Sequence, residues 1–164
     1  MFLDEALAMV RNCPTEGAIA DMLAAERIVA IPTEASQCAL AEFFMRCDGV
    51  YSAEVYGNDE NVGEVLIRLG PTELPFLYAL TYAAYSFIIK FDQCAYPKLV
   101  HQDIVDVFDM YRGLSLKFNK TTTGLVMRVF HYPTSAMDVK EFHYVNVNDD
   151  GSVDFTMRDA ATRK

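Results

Sequence analysis

The sequence predicts an α+β fold: a mainly antiparallel sheet of about five to six strands, covered by helices on one face, with three short N-terminal helices. Three observations carry this expectation. Apolar residues recur at helical spacing through the first 49 positions. Apolar and polar residues alternate with period two over much of the last third. Turn-rich segments join alternating runs in the way hairpin loops do.

At 164 residues the chain is expected to form a single domain, with a helical acidic part over 1–49 and a hairpin, two helices and strands over 50–164. With 52% hydrophobic and 23% charged residues, the composition is that of a folded globule.

Four Pro-Thr pairs, Pro14-Thr15, Pro32-Thr33, Pro71-Thr72 and Pro133-Thr134, punctuate the chain, and three of them continue with Glu. A threonine side chain accepts a first-turn N–H, and an acid just after it favours the positive end of the helix dipole. Helices are therefore expected over residues 3–11, 16–28 and 34–47. Leu3, Leu7 and Val10 form the inward stripe of the first, and Ile19, Met22 and Leu23 that of the second. Cys38, Ala41, Phe44 and Met45 form that of the third, which stops near Gly49.

A hairpin is expected next. Tyr51, Ala53 and Val55 alternate in one run and Val65, Ile67 and Leu69 in another, around the turn-rich loop 57–61. Thr72 is expected to cap a long apolar helix reaching Phe91, with Pro75 in its first turn. Its core, residues 74–89, is uncharged. As a helix this run reaches about 24 Å, short of a hydrocarbon core of about 30 Å, so a buried central helix is the expectation and not a membrane span. A fifth helix is expected over residues 98–112. Strands follow over 114–118, 125–132, 142–147 and 153–157, the last two joined by a turn at Asn148-Asp149-Asp150-Gly151.

Charge is the strongest functional signal. Residues 1–60 hold 11 acids and 3 bases, a net of −8; residues 61–164 hold 12 acids and 11 bases, a net of −1. Such asymmetry suits a surface that meets a basic partner and disfavours direct nucleic-acid binding, because it repels phosphates. Glu16, Asp21, Glu26, Glu34, Glu42 and Asp48 are the helical acids expected at that surface, with Asp59 and Glu60 at the hairpin tip as a second group. Partial mimicry of nucleic-acid charge by one acidic face follows from the same pattern. Tyr78, Tyr82 and Tyr85 fall at i, i+4 and i+7 of the expected long helix, as core or as an anchoring ridge at an interface.

Catalytic signals are sparse, and the sequence leans away from an enzyme. It holds no GxSxG, HExxH, P-loop or dinucleotide fingerprint. Cys94 and His101 flank Pro97, and His131 and His143 lie on expected strands, but no third group marks a catalytic set. The four cysteines, Cys13, Cys38, Cys47 and Cys94, form no CxxC pair, so free thiols and no metal are expected. Asn146, Asn148, Asp150 and Gly151 match the start of a calcium loop, but Met157 stands where its bidentate carboxylate belongs. Asp4 and Glu5 stand where a secretory signal carries bases, so a cytoplasmic, reducing location is expected.

The expected function is a protein-binding inhibitor or regulator. It would set an acidic helical surface against a basic partner, itself a nucleic-acid-binding protein in one version, and fits the compositional profile of an accessory protein of a phage, virus or mobile element. No cofactor and no membrane contact are expected. The alternatives are a small enzyme or ligand-binding protein with Cys94, His101 and His131 in a pocket between sheet and long helix, and a homodimeric scaffold built through the apolar helix or an open sheet edge.

Overall fold

The computed structural model describes residues 1–131, 135–147 and 153–159. Three helices open the chain: α1 Leu3–Arg11, α2 Glu16–Ala25 and α3 Ala39–Met45. α1 begins after Phe2, whose N–H bonds to Glu5 at 3.0 Å, and carries Asp4 and Glu5 in its first turn and Arg11 in its last, matching the dipole at both ends. Thr15 caps α2 by accepting the Ala18 N–H at 3.1 Å.

Two of the expected helices are shorter. α2 ends at Ala25 because Arg27 turns left-handed, with φ +56°. α3 starts at Ala39 and not at 34, because Thr33 is held left-handed at φ +67° and the Glu34 carboxylate accepts the Ser36 N–H and hydroxyl. Local side-chain bonds of this kind compete with the helix ladder.

The hairpin is present as β1 Ser52–Gly57 and β2 Gly63–Arg68, antiparallel, with Val55 opposite Val65. The segment after it departs from expectation. Residues 76–79 form a strand, β3 Phe76–Ala79, antiparallel to β2, and α4 spans only Tyr82–Asp92. The cap is Thr81, which accepts the Ala84 N–H at 3.1 Å, and not Thr72. An apolar run serves a helix or a strand equally, and pairing with the outer edge of β2 decides it here.

A 3-10 turn at Pro97–Leu99 leads into α5 Gln102–Met110. The remaining strands are β4 Ser115–Lys120, β5 Gly124–His131, β6 Ser135–Val147 and β7 Val153–Asp159, antiparallel in chain order. The Pro133-Thr134 pair and the Asn148–Gly151 turn lie outside the described residues.

The α+β class holds, but there is no single sheet of five to six strands: β1–β3 form one sheet and β4–β7 another. After β3 the chain turns into α4, so among the described residues β3 pairs with β2 alone. α3 and α4 pack on the inner face of the first sheet, where Ala53, Val55, Val65 and Ile67 are buried. α5 meets the second sheet through Phe108 and Phe118, whose ring centroids lie 6.0 Å apart. One core runs through both units, with Phe44, Phe87, Phe91, Phe118 and Phe142 fully buried. No helix among the described residues is long and apolar enough to cross a membrane.

Candidate interaction surfaces and the cleft beside α4 and α5

The eight acids singled out by the sequence fall into two groups. Glu16 and Glu34 bond to other elements of the fold, and Glu42 is partly withdrawn from the surface. The Glu16 carboxylate accepts Lys90 Nζ and Ser86 Oγ from α4, and these bonds, Lys90 first, hold its carboxyl below the usual range. Glu34 Oε2 accepts the Lys120 N–H at 3.0 Å and so closes part of the edge of β4. Glu42 is half-buried, and desolvation raises its carboxyl against the pull of Lys120 and Arg46.

Asp21, Asp48, Asp59 and Glu60 are exposed, and Glu26 is half-exposed. Asp48 Oδ2 lies 3.5 Å from the Met1 amine. Asp59 and Glu60 sit in the β1–β2 loop, which Asn58 shapes by accepting the Glu60 and Val62 N–H groups at 2.9 and 3.0 Å.

Two of the three arginines in residues 1–60 bond to backbone carbonyls. Arg11 donates through Nε and Nη2 to the Ala79 carbonyl at 3.0 and 2.7 Å. Arg46 donates to the Glu26 and Arg27 carbonyls at 2.6 and 3.3 Å. Both guanidinium groups thus satisfy backbone oxygens, and no ion pair among the described residues involves Asp4, Asp21, Glu26, Asp59 or Glu60.

The three tyrosines do not share a helix. Tyr78 lies on β3, half-buried, while Tyr82 and Tyr85 lie on α4 and stack with centroids 6.4 Å apart. Tyr82 is 66% exposed; Leu74, ahead of β3, is 84% exposed, and Phe76 and Leu77, on opposite faces of β3, are 52% and 59% exposed. These uncharged side chains were expected in a buried helix; breaking that helix into a strand exposes them.

A cleft of about 640 Å³ opens between the end of α4, α5 and the start of β4, lined by Thr33, Asp92, Cys94, Phe108, Asp109 and Arg112 among others. Asp92 Oδ1 accepts the Thr33 N–H at 2.7 Å, and burial raises its carboxyl despite that bond. Thr33 and Cys94 both have left-handed backbones, at φ +67° and +59°. For a β-branched residue this costs roughly 1–2 kcal/mol. Burial also raises the Cys94 thiol, the opposite of what a thiolate nucleophile needs.

His101 is not in this cleft: it lines a small cavity of about 80 Å³ with Phe155, against which its ring packs edge-on at 5.4 Å. The side chain of His131 lies outside the described residues. His131 stands opposite Ser135 and His143 opposite Gly124, so the two histidines do not pair across the sheet. His143 Nε2 instead lies 3.4 Å from Glu141 Oε2, beside a cavity of about 270 Å³ lined by Thr121, Thr122 and Thr123. Glu141 is 8% exposed, and Arg158 Nε lies 3.9 Å from the same oxygen.

The calcium-like pattern does not close: Asn146 and Met157 lie on strands, and Asn148, Asp150 and Gly151 lie outside the described residues. All four cysteines are free thiols, and burial pushes Cys38 up to about 12. Among the described residues no cluster of three or more His, Cys, Asp and Glu side chains is placed to hold a metal ion.

Sequence reasoning missed Thr33, Asp92 and Glu141. Only the Pro32-Thr33 pair carried a signal, and it read as a helix cap. No protein-family model, no curated protein and no solved structure matches this chain.

Proposed function

We propose that this chain is a protein-binding inhibitor or regulator whose acidic N-terminal part engages a basic surface, of the kind that nucleic-acid-binding proteins carry. The observation that supports this most is the exposure of Asp4, Asp21, Asp59 and Glu60, none of which joins an ion pair among the described residues, in a segment of net −8. Complementary potential of this kind speeds encounter and sets register.

Asp4, Asp21, Glu26, Asp59 and Glu60 are the acids to reverse, since Glu16 and Glu34 also bond within the fold and Glu42 is half-buried. The test compares wild type with a variant carrying Asp21→Lys, Asp59→Lys and Glu60→Lys as affinity baits for total cell protein, at low and high salt. Wild type retains basic proteins at low salt and releases them at high salt, where screening shortens the reach of charge; the variant retains none of them. Equal retention by both baits, or retention indifferent to salt, overturns the reading.

A second reading is self-association. It is favoured by one observation: among the described residues no strand pairs with the outer edge of β3, and Leu74, Phe76 and Leu77 are exposed on or beside that strand.

A further inference from the structure

The two sheets have four edge strands, and three of them have outward N–H groups engaged. On β1 the Val55 N–H donates to the Ala35 carbonyl at 3.0 Å. On β4 the Phe118 N–H donates to Thr33 Oγ1 at 2.7 Å and the Lys120 N–H to Glu34 Oε2 at 3.0 Å. On β7 the Phe155 N–H donates to Asp103 Oδ2 at 3.2 Å. Covering an edge in this way keeps it from pairing with another chain.

β3 differs. The Leu80 N–H donates to the Gly63 carbonyl at 2.7 Å. With period two, Phe76, Tyr78 and Leu80 therefore turn their backbone groups toward β2, and Leu77 and Ala79 turn theirs outward. The outward Ala79 carbonyl is taken by Arg11. Among the described residues nothing bonds to the N–H of Leu77 or of Ala79.

We propose that two copies of this chain pair through β3, antiparallel about a two-fold axis at Leu77, joining their three-stranded sheets into one. This rests on the self-association reading above and names its surface and register. In that register the two Leu77 residues exchange both N–H···O=C bonds, and each Ala79 N–H meets the Pro75 carbonyl of the second copy. Pro75 has no N–H to offer, and the group it would have met is the Ala79 carbonyl that Arg11 already occupies. The one missing donor thus faces the one filled acceptor, which is self-complementarity that an unrelated strand would match only by chance.

Side chains agree with this register. Phe76 falls opposite Tyr78 of the second copy in a non-hydrogen-bonded pair, where side chains approach most closely. Within one chain the Phe76 and Tyr78 rings already lie 6.5 Å apart, so the contact assembles a row of four aromatic rings from the two copies. Charge also selects this site. A chain of net −9 repels its own copy, but residues 74–89 carry no charge, so the contact sets no carboxylates against each other.

The test is sedimentation of wild type, Leu77→Lys and Leu77→Pro across the micromolar range, with far-UV circular dichroism as a fold control. Leu77→Pro removes an outward donor only and leaves the β2–β3 ladder intact, as an edge strand tolerates. Wild type is expected to dimerise; Leu77→Pro should weaken the dimer by roughly 30-fold or more, the effect of losing two net hydrogen bonds, and Leu77→Lys should weaken it by setting two like charges directly opposite each other. Leu77→Cys is expected to form a disulfide-linked dimer on oxidation, beyond any given by the native thiols. A monomeric wild type overturns both the self-association reading and this pairing. A dimer that persists unweakened in the variants, or that fails to cross-link at Cys in place of Leu77, overturns the pairing and leaves self-association to another surface.

Discussion

The backbone N–H of Thr33 donates to Asp92 Oδ1 at 2.7 Å, while the Thr33 hydroxyl accepts the N–H of Phe118 at 2.7 Å. One left-handed residue thus ties the end of α4 to the edge of β4. It lines the cleft of about 640 Å³, and its strain persists because both bonds over-determine it.

Asp92 gives this joint a pH dependence. Desolvation raises its carboxyl in the folded state, more than the Thr33 N–H lowers it. A raised folded-state value means a contribution that is full below the ordinary Asp range, about pH 4, and is lost as pH rises through the folded-state value. Asp92→Asn keeps an acceptor for Thr33 and removes the titration. Wild type should therefore lose stability relative to Asp92→Asn as pH rises from about 4 to 7. Chemical denaturation of the two proteins across that range measures it, and a constant difference would refute the assignment.

The Glu16–Lys90 contact has the opposite sign. Lys90 and Ser86 stabilise the charged carboxylate, so its contribution is present above the ordinary Glu range and is lost as pH falls through the depressed folded-state value. Glu16→Gln should melt below wild type near neutral pH and converge with it in acid. The effect is small, because surface ion pairs are screened by solvent. Equal differences in melting temperature at acidic and neutral pH would remove Glu16 from the account of acid stability.

Gly124 opens β5 and stands opposite His143 of β6. A Cβ added there would lie 1.8 Å from the Phe142 carbonyl oxygen, a backbone atom of the neighbouring strand that cannot step aside alone. Gly124→Ala should cost at least about 3 kcal/mol. Gly57→Ala meets only the Tyr85 ring, at 2.8 Å, and a side chain can rotate away, so the loss should be smaller. Urea denaturation of the two variants tests the order, and a Gly57→Ala loss as large as that of Gly124→Ala would contradict it.

What the sequence determined by itself was local. The limits of α1, the Thr15 cap and the β1–β2 hairpin follow from capping groups, period and turn residues within a few positions of one another. The charge partition is likewise a property of composition alone.

Tertiary structure decided the rest. Pro32-Thr33 and Pro71-Thr72 read as caps like Pro14-Thr15, yet a bond to Asp92, far along the chain, holds Thr33 left-handed. Thr72 caps nothing because the open edge of β2 draws residues 76–79 into a strand. The eight acids looked alike in sequence. Only the placement of Lys90, Ser86 and Lys120 separates Glu16 and Glu34, which hold the fold, from Asp21, Asp59 and Glu60, which face water. Apolar runs and isolated charges are compatible with several partners, and long-range hydrogen bonds choose among them.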